Sequence, residues 1–179
     1  MKRTMFLAVP AVLILGSMPS AWAAAGQKNQ SLPADARTAL RDVGDWASDI
    51  AEDAFHLDNL ALTQRDPRGH LDGLEAIRDD VNHIGAALQA LDQERASLAP
   101  WEAKALDDAM PLMRQVADRA QKAIETFRSD PTRLWANSYI GDMEEIAKDA
   151  DRVATELHDY LKLEATRETE SRLEQTLGK

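Results

Sequence analysis

Residues 74–91 read LEAIRDDVNHIGAALQAL and set Leu74, Ile77, Val81, Ile84, Leu88 and Leu91 at alternating steps of three and four. An α-helix turns once in about 3.6 residues, so these steps hold six apolar side chains on one face while Glu75, Arg78, Asp79, Asn82 and Gln89 fall outside it. The same rhythm runs upstream through Ala36, Leu40, Val43, Ala47, Ile50, Ala54, Leu57 and Ala61. Downstream it returns as Leu106, Met110, Met113, Ala117, Ala120, Ile124 and Phe127, then as Ile140, Met143, Ala147, Ala150, Ala154, Leu157 and Leu161.

Three prolines separate these stripes, Pro67 in TQRDPRG, Pro100 in RASLAP and Pro131 in RSDPTR. Proline has no amide donor and fits the first turn of a helix, so each break ends one helix and begins the next. Asp66 and Asp130 stand where N-caps are expected, as does Ser31 ahead of the first helix, and Asn137 or Ser138 is placed to cap the last. The expected helices span 32–63, 69–97, 100–128 and 137–165, with TRLWA (132–136) as a separate turn and a kink at Pro111. Short breaks between long one-sided helices predict an all-α fold: an antiparallel up-down four-helix bundle with coiled-coil seams.

Before the first stripe, Lys2 and Arg3 precede the apolar run FLAVPAVLILGSM and the small-residue stretch ending Ala21-Trp22-Ala23. Basic, apolar and small-residue regions in that order describe a Sec-type signal peptide, 1–23, cleaved after Ala23, with Ala25 as the second choice. The apolar run is too short to cross a bilayer, which takes about 20 residues. The mature chain is then periplasmic or secreted and not an integral membrane protein, with its bundle in 24–165 and a charged tail in 166–179.

The chain has no cysteine, hence no disulfide, no lipid-acceptor thiol and no thioether haem attachment. It carries 21 basic and 31 acidic residues, a net charge of −10 that becomes −12 once Lys2 and Arg3 leave with the leader. Such a balance repels nucleic acid and anionic membrane surfaces.

Two matching clusters carry the only hint of chemistry, Asp53-x-x-His56 and Asp80-x-x-His83, because carboxylate-x-x-His on a helix is how di-metal bundles present ligands. Both histidines fall one residue before a core position, pointing outward, so solvated faces explain them better than a shared ion. Counting from Pro67 also leaves them about five residues, or 7–8 Å, out of step on antiparallel helices. Asp53, His56, Asp80 and His83 are therefore weak metal candidates only. Met110, Met113 and Met143 sit in the stripes as gap-fillers rather than haem ligands, and no cofactor is expected. None of the stripe residues is ionisable, so an interior free of acid–base groups, and no enzyme, is predicted.

Val81-Asn82-His83-Ile84-Gly85, Pro100-Trp101 with Ala105, Pro111-Leu112-Met113 and Ala123-Ile124 together resemble a family of exported bacterial all-helical proteins without an assigned activity. The resemblance spans most of 70–165 and implies export and an all-helical fold; it brings no catalytic or binding residue. The expected role is structural, scaffolding or protein interaction in the cell envelope, with an envelope protein as partner. The alternative is a small-ligand or metal-binding bundle, using space left between the alanine-rich helices or the Asp/His faces.

Overall fold

The computed structural model describes residues 35–63 and 67–178, and within them the chain is helical apart from short connections, with no strand. The signal peptide and its cleavage site, Ser31 and Asp66 lie outside the described residues. Four long helices are present: α1 (Ala36–Thr63), α2 (Pro67–Gln93), α3 (Pro100–Ser129) and α4 (Asn137–Leu177). A short 3-10 turn, Arg95–Ser97, joins α2 to α3, and another, Pro131–Trp135, joins α3 to α4.

The helix ends follow local chemistry. The Asp35 carboxylate accepts the Arg37 N–H at 3.2 Å, capping α1. Pro67 and Pro100 each begin a helix, and Glu102 reaches back to accept the Ala99 N–H at 2.8 Å. Asp130 turns extended before Pro131, ending α3, while its carboxylate accepts the Thr132 N–H at 3.0 Å. Several boundaries differ from expectation: α1 begins at Ala36 behind Asp35 rather than at 32, and α2 begins at Pro67 rather than at 69. α2 stops at Gln93 rather than 97, where the Glu94 N–H is shared between the carbonyls of Ala90 and Leu91 and the backbone tightens into the 3-10 turn. α4 is entered from Ala136, whose carbonyl accepts from Tyr139 and Ile140, so neither Asn137 nor Ser138 is the cap. And the charged tail is no separate piece, because α4 runs on through it to Leu177, 41 residues in all.

α1 packs on α2 and α4, and α3 packs on the same two helices. Arg37, at the start of α1, pairs with Glu168 far along α4 at 2.5 Å. Between α3 and α4, Tyr160 donates to Asp108 at 2.7 Å and Lys122 meets Asp142 at 2.8 Å, early residues of one helix meeting late residues of the other. Two glycines stand at tight helix contacts. A Cβ on Gly73 of α2 would stand 2.8 Å from Cδ2 of Leu57 on α1, and one on Gly44 of α1 would stand 3.2 Å from the His158 ring of α4.

The α1 and α2 stripes bury as predicted, Leu40 to Leu57 and Leu74 to Leu91, with Ala36 and Ala61 half-buried at the ends. In α3, Ala105, Ala109, Leu112 and Val116 join the core while Met110 and Phe127 stay at its margin. In α4 the buried residues are Tyr139, Met143, Ile146, Ala150, Val153, Ala154 and Leu157, while Ile140 and Ala147 are marginal. Both rows keep helical spacing. The one carrying Ile146 and Val153 faces inward because it removes more apolar area from water.

Candidate functional site

The α1–α2 seam holds three of the four predicted site residues. Asp53 lies half-buried on α1 beside Asp49 and Glu52, and Asp80 lies half-buried on α2 next to His83. Partial burial raises the Asp53 carboxyl above the ordinary aspartate value, with the charges of Asp49 and Glu52 adding and His56 opposing. Burial likewise raises Asp80, reinforced by Asp49 from across the seam and opposed by His83. His83 Nδ1 stands 3.7 Å from the Asp80 carboxylate, too long for a hydrogen bond, and the ring lies against Trp46 with centroids 5.3 Å apart.

Half-buried Asp53 and Asp80 thus feel each other and the charge of exposed Asp49 along the seam, a setting that favours uptake of positive charge, as a proton or a cation. The two histidines of these clusters do not meet. Trp46 is the α1 residue opposite His83, and exposed His56 lies ten residues farther on, about 15 Å along the axis. That gap exceeds the five residues expected, because Leu57 packs against Gly73 and sets the stagger of the hairpin. Among the described residues no three metal-binding side chains come together. Asp49 was not singled out in the sequence, although positions 46, 49, 53 and 56 share one side of α1.

A second cluster corrects the expectation of an interior free of titratable groups. His70, near the start of α2, is 0% exposed. Its Nδ1 shares a hydrogen bond of 3.1 Å with the Tyr139 hydroxyl, and the Trp135 ring meets it edge-on at 5.3 Å. Burial drives the Tyr139 phenol well above its usual range, so it stays protonated. The cluster ties α2, α4 and the turn before α4 together, and it carries no exposed reactive atom.

The third feature is an open groove of about 680 Å³ between α3 and α4, lined by Leu112, Leu163, Lys104, Asp108, Arg152 and Tyr160 among others. Two pairs of its charged residues, Lys104 with Asp108 and Arg152 with Glu156, are engaged with one another. Lys104 Nζ sits 2.6 Å from both Asp108 oxygens, holding that carboxyl below the ordinary range, and Arg152 pairs with Glu156 at 2.7 Å. The space thus opens at the surface, whereas Ala47, Ala54, Ala117, Ala120, Ala150 and Ala154 are buried against their neighbours.

Comparison with protein-family models, with curated proteins and with solved structures finds no match to this chain.

Proposed function

We propose that this chain is exported, cleaved after Ala23, and works in the periplasm or outside the cell as a non-enzymatic scaffold or interaction protein, built as an antiparallel up-down four-helix bundle with coiled-coil seams. The leader sequence, the acidic charge and the end-to-end contacts of Arg37 with Glu168 and of Lys122 with Asp142 support that reading. The observation that carries the interaction role is α4. It has 41 residues against 28, 27 and 30 in the other helices, and it leaves Leu163, Leu173 and Leu177 exposed by 47%, 56% and 84%.

The reading is tested by expressing the full chain with a C-terminal tag, fractionating the cells and sequencing the recovered N-terminus. A protein starting at Ala24 or Gly26 in the periplasm or medium, crosslinked there to itself or to an envelope protein, is the expected result. An uncleaved chain in the cytoplasm overturns it. The repelling carboxylates Asp49, Asp53 and Asp80 favour the cation-binding alternative. Calorimetric titration of the purified protein with zinc and with calcium, beside an Asp53→Asn/Asp80→Asn variant, decides it: saturable heat lost in the variant would replace the scaffold reading.

A further inference from the structure

The side of α4 that meets α1 runs out of apolar residues well before the helix ends. Leu157 is buried there, facing Gly44, and the same row continued at steps of four and three reads Leu161, Glu164, Glu168, Ser171 and Gln175. Leu163, Leu173 and Leu177 lie on the opposite side of the helix, so none of them holds it to the bundle. From Ala165 to Leu177 every residue is exposed, about 20 Å of helix with no buried face. Local chemistry adds little. Thr166, Thr169 and Thr176 each turn a hydroxyl back to the carbonyl four residues earlier, and helical stretches of about 12–15 residues or fewer are marginal in water without packing.

Among the described residues, one polar contact ties this stretch to another helix. Arg37 of α1 grips Glu168 with two guanidinium nitrogens, Nη1 at 3.2 Å and Nη2 at 2.5 Å, a forked geometry stronger than a single ion pair. The guanidinium is itself held 5.7 Å from the ring centre of Trp101 on α3. We propose that Arg37 is a clasp that sets how far α4 stays folded: closed on Glu168 it keeps the helix continuous beyond its last buried turn, and open it lets the chain from Ala165 onward unwind and carry Leu173 and Leu177 off the helix. The clasp regulates the same end of α4 that carries the interaction role above, and it rests on that reading for its use. An exposed ion pair shifts such a balance by about fivefold, enough to move a marginal segment between the two forms and small enough to be reversible.

The test is amide hydrogen exchange read by mass spectrometry, on the protein as recovered from expressing cells with its mass verified. Amides over 166–172 should be less protected than those over 146–157, and Arg37→Gln and Glu168→Gln should each lower their protection by about fivefold while 146–157 is unchanged. The double variant should be no less protected than the weaker single, because both substitutions remove one contact. The unchanged protection of 146–157 keeps global folding out of the comparison. Protection over 166–172 equal to that of 146–157, a segment already unprotected in the parent, or losses that add in the double variant each overturn the clasp. An uncleaved cytoplasmic chain would remove the envelope role and leave the clasp standing, whereas a clasp that fails these measurements leaves the export and crosslinking results untouched.

Discussion

Gly73 of α2 faces the Leu57 side chain of α1 with no room for a methyl, and its substitution separates packing from helix propensity. Alanine improves an exposed helix by about 1 kcal/mol over glycine, yet here its methyl would arrive 2.8 Å from a Leu57 side chain that is fully buried. Gly73→Ala is expected to lower unfolding stability by about 1–3 kcal/mol, as overpacking usually does. Gly44→Ala meets an exposed His158 ring at 3.2 Å that can swing aside, so urea titration should find it neutral or slightly stabilised. The hydrogen bond of Tyr139 to His70 is the other residue-scale test. Tyr139→Phe keeps the ring and removes the hydroxyl, leaving Nδ1 in a dry site, at an expected cost of about 1–3 kcal/mol in the same titration.

At the scale of the element, α4 offers two apolar rows of equal spacing, and only packing distinguishes them. Ile146→Ala should cost about 2–5 kcal/mol, the range for emptying a buried aliphatic site, whereas the half-buried Ile140 should cost clearly less when changed the same way. An inverted order would mean that the helix is rotated. Helices, breaks and the α1 and α2 faces were legible because apolar steps of three and four admit one solution there and prolines mark the ends. In α4 the period admits two solutions, and residue volume chooses. His70 escaped because a lone histidine near a helix start carries no periodic signal; it is buried by Trp135 and Tyr139, some 65–69 positions away. The seam was half legible. Asp53, Asp80 and His83 drew notice through their spacing, but which residue faces which depends on the stagger set at Gly73, a contact between helices that the spacing within either one cannot encode.

For the molecule as a whole, the excess of acidic residues and the seam act in one direction with pH. The Asp53 and Asp80 carboxyls are raised in the folded state, so between the ordinary aspartate value and their raised values the native chain holds more protons than the unfolded one. Stability therefore falls as pH rises through that window and is penalised by these groups above it. Asp53→Asn/Asp80→Asn should raise the urea midpoint at pH 7, with the gain vanishing below the ordinary aspartate value. Asp107, Asp108, Asp130 and Glu168 are held low by their partners and pull the other way, their contributions being lost only on further acidification. A plot of midpoint against pH is expected to peak on the mildly acidic side of neutrality. A double variant that follows the parent curve at every pH would remove the seam as the cause.

The chain's first described helix lies against its last. Gly44 faces Leu157 and His158, and Arg37 waits for Glu168, more than a hundred positions downstream. A chain emerging from its amino end, whether from a ribosome or through a translocation channel, must therefore hold the oily side of α1 partly uncovered until almost everything else has arrived. α2 shields one flank early, but closure is delayed to the final helix. Such a topology keeps the polypeptide threadable for most of its passage and concentrates its risk of sticking to strangers into the interval just before completion.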